Sequence, residues 1–126
     1  MPEAAVLDAS ALLAMLLEEP GGDVAAALLP QARISAVNLA EVLGRLARDG
    51  APDEVLAEVE RRLHPVTLPF DPTLAAETGS LIRLGRSLSL GDRACIATAK
   101  RLGLPVVTAD KIWATLDLGI EVKLIR

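Results

Sequence analysis

The chain has 126 residues, 52% hydrophobic and 24% charged, with a mean hydropathy of +0.41. That length fits one domain with a real core, 1–126, and the composition is too apolar for a disordered chain. A net charge of −4 and only two aromatic residues, Phe70 and Trp113, exclude a protein that coats nucleic acid through bulk positive charge, and disfavour a base-stacking single-strand binder.

Along the chain, apolar runs alternate with helical segments. Ala4 to Leu7 is a short apolar run ending at Asp8, which predicts a buried strand. Ser10 precedes strong helix formers and is the expected cap of a helix over Ala11 to Leu17, stopped by Pro20-Gly21-Gly22. Asp23 is the expected cap of a second helix, Val24 to Leu29, ended by Pro30. A short strand is expected at Arg33 to Ser35, then a helix over Val37 to Arg48 with Gly50 as its stop. Pro52 opens a helix to about Leu63, with Asp53 and Glu54 at its start and Arg61 and Arg62 at its end, matching the helix dipole. A strand over Pro65 to Leu68 follows. Asp71-Pro72 signals the start of a helix through about Leu84. Ser89-Leu90-Gly91-Asp92 leads into another, to about Leu102, stopped by Gly103. Pro105 to Thr108 reads as a buried strand, and Ile120 to Ile125 as a final strand nearer an edge. Strands separated by helices predict an α/β fold: a parallel sheet with helices on both faces. Ligands of such sheets bind beyond the carboxyl ends of the strands.

Four acids stand in apolar stretches: Asp8, Glu41, Asp92 and Asp110. Asp8 and Asp110 each follow an expected strand, so the two can share one edge of the sheet. Asn38 and Glu41 are three apart, on one helix face. Asp8, Asp92 and Asp110 could each equally be a helix or turn cap, but Glu41, in mid-helix, caps nothing. Desolvation disfavours such acids. Two like charges about 5 Å apart cost on the order of 3 kcal/mol at an effective dielectric near 20. A cluster of four would therefore take up protons or a cation. Hard oxygen ligands without a histidine or thiolate set suit Mg²⁺ or Mn²⁺, which can activate water and neutralise charge on a phosphate. Ser10 and Thr108, each two residues from an acid, could orient a carboxylate or a metal-bound water.

Rival chemistries fit less well. There is no Gly-x-x-x-x-Gly-Lys-Ser/Thr and no Gly-x-Gly-x-x-Gly motif. His64 is the single histidine, so a histidine-pair nuclease is excluded within one chain. Cys95 in an Ala/Ile-rich helix reads as a small apolar residue rather than as a nucleophile paired with His64. One cysteine suits a reducing cytoplasm, and neither a membrane span nor a signal peptide is expected.

Asp8-Ala9-Ser10 after the first strand, Asn38-Leu39-Ala40-Glu41-Val42, the stretch from Leu88-Ser89-Leu90-Gly91-Asp92-Arg93-Ala94-Cys95 to Ala99, and Val107-Thr108-Ala109-Asp110 occur in that order. Together they resemble PIN-domain nucleases, most closely the VapC toxins of VapBC toxin–antitoxin pairs, over essentially the whole chain. The resemblance implies a three-layer α/β/α sandwich around a mostly parallel sheet, a Mg²⁺ or Mn²⁺ site, and endonucleolytic cleavage of RNA. It makes Asp8, Glu41, Asp92 and Asp110 the acidic site, with Ser10, Asn38 and Thr108 in support, and all four acids are present. It also implies a homodimer and a VapB-like antitoxin that blocks the site. Arg45, Arg48, Arg83, Arg86 and Arg93 are candidate phosphate contacts, Arg93 foremost because it adjoins Asp92. Two alternatives are a metal- or RNA-binding module that does not cut, and an Asp-x-Asp phosphatase. The second lacks its second acid, because Ser10 stands there.

Overall fold

The computed structural model describes residues 4–85 and 87–126. Its strands are β1 (Val6–Leu7), β2 (Ile34–Ser35), β3 (Thr67–Leu68), β4 (Val106–Thr108) and β5 (Val122–Leu124). Its helices are α1 (Ala9–Leu16), α2 (Gly22–Leu28), α3 (Ala36–Arg48), α4 (Asp53–Leu63), α5 (Pro72–Ser80) and α6 (Leu90–Leu102). β1 pairs with β4 and β4 with β5, β2 pairs with β3, and a Val6–Arg33 bridge joins the two sets. Every pairing is parallel, giving the order β3-β2-β1-β4-β5 with β5 at an edge, as expected.

β1, β2 and β4 are buried on both faces, and the strands' period of two divides the core. Leu7 and Val107 pack with residues of α1 to α4. Val6 and Val106 turn the other way, onto Cys95, Ile96 and Ala99 of α6 and onto Trp113. α5 covers α6. Helices therefore lie on both faces of the sheet, which is the three-layer arrangement. No helix among the described residues is long and apolar enough to cross a membrane.

The cap chemistry departs from expectation at two places. Asp8, not Ser10, caps α1: its carboxylate accepts from the Ala11 amide, and the helix starts at Ala9. Asp8 is one residue out of the strand and already has extended φ/ψ, so it is the residue placed to cap. Asp23 makes no cap bond but sits in the first turn of α2. Gly21 holds the N-cap position with φ +87°, its bare Cα against the Ile125 carbonyl, a close approach that only glycine permits. α5 is also shorter than expected, ending at Ser80 and tightening into a 3₁₀ turn over Leu81–Leu84. The cap at Asp71 is as expected, and two others are added. Ser35 caps α3, Asp71 caps α5, and Ser89 with Asp92 forms a reciprocal capping box on α6.

This topology places the acids. In a parallel sheet the carboxyl ends of all strands share one edge. A helix that follows a strand starts at that edge, and one that leads into a strand runs back from it. The start of α3 after β2 and the start of α6 before β4 are thus brought to the edge that β1 and β4 leave at Asp8 and Asp110.

Candidate active site

Asp8 is the deepest of the four acids, 4% exposed. Three donors hold it: the Ser10 hydroxyl on Oδ1 at 2.7 Å, the Thr108 hydroxyl on Oδ2 at 2.5 Å and the Ala11 amide on Oδ1 at 2.9 Å. Each hydroxyl has one proton, so both protons are committed to the carboxylate and the 3.2 Å contact between the two hydroxyls is not a second donation. The hydroxyl oxygens accept in turn, Ser10 from the Ala109 amide and Thr108 from the Asp110 amide. One network therefore runs from the end of β1 to the end of β4. Burial nevertheless dominates, and the Asp8 carboxyl is pushed up to about 6. The hydroxyls and the amide work against this rise, and the charge of Asp92 adds to it.

Glu41 is an exposed residue, as is Ala40, so the acid does not stand within a buried apolar face of α3. The buried positions of α3 are Asn38, Val42 and Leu46. The tip of Glu41, however, is turned onto α6. Partial desolvation raises its carboxyl above the usual range, opposed by a hydrogen bond from Asn38 and assisted by Asp92. Asn38 is 1% exposed. Its Nδ2 donates to Glu41 Oε1 at 2.7 Å and to the Gly91 carbonyl at 3.0 Å. Its Oδ1 is buried with no hydrogen-bond partner among the described residues.

Asp92 and Asp110 are half-buried and both also serve as caps. Asp92 accepts from the Ser89 amide, and Asp110 from the Ile112 amide. Burial raises the Asp92 carboxyl, and the charge of Asp110 raises it further, against the pull of Arg93. Asp92 is thus the electrical centre of the group, acting on Asp8 and Glu41 and acted on by Asp110. The fold brings all four acids into one neighbourhood, with Ser10, Thr108 and Asn38 bonded to two of them. As the side chains stand, no group of three or more His, Cys, Asp or Glu among the described residues is arranged to hold a metal ion.

The arginines are less convergent. Arg45 bonds Asp49 at 2.8 Å, and Arg48 lies 3.7 Å from the same carboxylate. Arg83 is exposed on the turn after α5. Arg93 Nη1 donates to the Thr78 carbonyl on α5, and its Nε is buried without a partner. Arg86 lies outside the described residues. No Cys95–His64 pair exists. His64 is exposed at the end of α4 against Glu60, and Cys95 is buried in α6. Burial and the three nearby acids hold the Cys95 thiol well above its ordinary range, so it stays protonated. Sequence reasoning did not single out Gly91, whose carbonyl accepts from Asn38. The signal available was a glycine in the first turn of a helix, where alanine is the better helix former.

A family model described as the PIN domain matches residues 5–118. A solved structure described as a member of the VapBC family of toxin–antitoxin systems, VapBC-5, from Mycobacterium tuberculosis, is 31% identical, with 99% of each chain covered and a TM-score of 0.59. FitAcB from Neisseria gonorrhoeae is 25% identical over 96% of each chain, with a TM-score of 0.70. VapC20 from Mycobacterium tuberculosis, described as a toxin that cleaves the sarcin–ricin loop, shares the fold at 16% identity and a TM-score of 0.70, over 90% of this chain and 94% of that one. A search among curated proteins finds no significant match.

Proposed function

The chain belongs to the PIN-domain family and is of its VapC type, and on that premise we propose that it is a metal-dependent endoribonuclease, the toxin of a type II toxin–antitoxin pair. The observation that carries the reading is the carboxyl edge of the sheet. A buried acid there is held by two hydroxyls and an amide, and it stands in the field of Asp92 with no arginine or lysine bonded to it among the described residues. An arrangement that pushes carboxylates up by burial and mutual repulsion favours an arriving divalent ion.

The donors suit Mg²⁺ or Mn²⁺: carboxylate oxygens, hydroxyls and the unpartnered Asn38 Oδ1, with the Cys95 thiol kept protonated. Asp8, Asp92 and Asp110 would hold the ion, with Glu41 helping to hold it or orienting the attacking water. Loading requires a side-chain rotation or bridging water, since no three acids are aligned for it. When bound, the ion supplies an activated water and neutralises charge developing at phosphorus. Ser10 and Thr108 fix the Asp8 carboxylate and keep it ionisable. Arg45, exposed enough to exchange Asp49 for a phosphate, and Arg86 are the proposed RNA contacts. Arg93 would reach a phosphate only by leaving Thr78, and otherwise offsets the charge of Asp92. A VapB-like antitoxin with a basic segment, a homodimer and a cytoplasmic location belong to the same proposal. A second reading, a metal- or RNA-binding module that does not cut, draws on the unaligned acids.

Purified, antitoxin-free protein incubated with a mixed pool of structured RNA decides between them. Discrete cuts in Mg²⁺ or Mn²⁺, abolished by EDTA and by Asp8→Asn or Asp92→Asn in folded protein, are expected. RNA binding without cuts would establish the second reading, and cuts that survive EDTA or the variants would overturn the four-acid site.

A further inference from the structure

Gly91 is buried in the first turn of α6. Its backbone does not require glycine: the positive-φ glycines are Gly21, Gly50, Gly85, Gly103 and Gly119. Alanine would favour the helix. What a side chain there would have to displace is Glu41. A β-carbon on Gly91 would overlap the Glu41 carboxyl carbon and both its oxygens, and those three are the nearest atoms it would meet. Gly44 and Gly79, also helical, have nothing within 4 Å of such an atom.

The same peptide is gripped from the other side. Asn38 Nδ2 bonds both Glu41 Oε1 and the Gly91 carbonyl. Both partners are acceptors, so the amide can face them only with its nitrogen. One buried side chain thus ties the carboxylate to the residue on whose α-carbon it rests. An exposed glutamate otherwise samples many rotamers at little cost. Here its tip is pinned one residue away from Asp92.

From this juxtaposition we infer that Gly91 is a positioning residue, its bare α-carbon being the seat on which Asn38 holds the Glu41 carboxylate beside Asp92. The seat is a property of the metal-free fold. Its consequence for cleavage rests on the nuclease reading: Gly91→Ala lowers kcat as Glu41→Gln does and leaves KM for RNA nearly unchanged.

A double-mutant cycle on metal-free protein tests the seat without any activity. In a Glu41→Ala background, Gly91→Ala should raise Tm by about 2–5 °C, the gain expected of a helical glycine relieved of that overlap. With Glu41 present the gain should shrink or vanish, because the methyl must expel the carboxylate. Gly44→Ala, with open space around it, should give the same change in both backgrounds. The Asn38 side-chain amide protons should move in the NMR spectrum of Gly91→Ala. Equal Tm gains with and without Glu41, an unmoved Asn38 amide, or a double variant that does not fold would each overturn the inference. Wild type that cuts no RNA would instead count against the nuclease reading, and the cycle would still decide the seat.

Discussion

Acids on the flank formed by α3 to α5 and acids at the carboxyl edge of the sheet are treated in opposite ways. On the flank three carboxylates, Asp49, Glu58 and Asp71, each have an arginine. Arg45 lowers Asp49, Arg61 lowers Glu58 and Arg101 lowers Asp71. Asp71 even repeats the role of Asp8, capping a helix through a carboxylate oxygen. Yet Asp71 sits in solvent beside Arg101, whereas Asp8 is buried among hydroxyls, and burial drives it to about 6. Glu41 and Asp92 are raised for the same reason. A cap needs only an oxygen facing an amide, which Asp71 supplies without burial. The burial of Asp8 and its proximity to Asp92 go beyond what capping requires.

The contrast can be broken most sharply through activity. Asp8→Asn keeps the shape of the site but removes the charge and turns one acceptor oxygen into a donor, and it should lower metal-dependent RNA cleavage by about 10³-fold or more. Asp71→Asn, at the compensated cap, should leave cleavage unchanged and slightly lower the melting temperature. Comparable losses in the two variants would erase the distinction.

Stability against pH should show the same division. Asp8 has its folded value raised from 3.8 to about 6. Between these values the native state holds a proton that the unfolded chain has released, so stability falls as pH rises through this window, by about 3 kcal/mol for Asp8 alone. Glu41 and Asp92 act with the same sign. The lowered acids of the flank act oppositely, their contribution being lost as pH falls below about 4. Urea melts of metal-free protein should therefore show greatest stability on the acid side, near pH 4–5, and Asp8→Asn should flatten the decline towards pH 7. A wild-type profile flat from pH 4 to 7 would mean that Asp8 is not perturbed.

A smaller effect sharpens the role of the hydroxyls. Thr108→Val removes the donor on Asp8 Oδ2 and the acceptor of the Asp110 amide, with little change in volume. It should cost about 1–2 kcal/mol at pH 7.5 and less at pH 5, where Asp8 is protonated and needs the donor less. A loss independent of pH would show that Thr108 serves packing alone.

Much of this was legible from the residues. Alternating strands and helices gave the parallel sheet, and Asp8 and Asp110 after apolar strands pointed to a shared edge. The cap at Asp71 could be read directly, as could the stops at Gly50 and Gly103. Cap identity at α1 could not, because Asp8 and Ser10 are both good caps and only the exact end of β1 decides between them. The acids' shared neighbourhood was hidden for another reason: β1 and β4 are a hundred residues apart in the pairing of Thr108 with Asp8, a long-range contact that no local pattern encodes. The seat under Glu41 was hidden as well. A glycine at a helix start reads as a turn signal, and only the packing of α3 on α6 shows what fills its space.

The most direct test of the central claim is a paired melt of wild type and Asp8→Asn at pH 7.5, first in EDTA and then in saturating Mn²⁺. The account predicts that Asp8→Asn melts higher without metal, and that Mn²⁺ raises wild type by several degrees more than the variant. A variant no more stable than wild type in EDTA, with both chains raised equally by Mn²⁺, would contradict it.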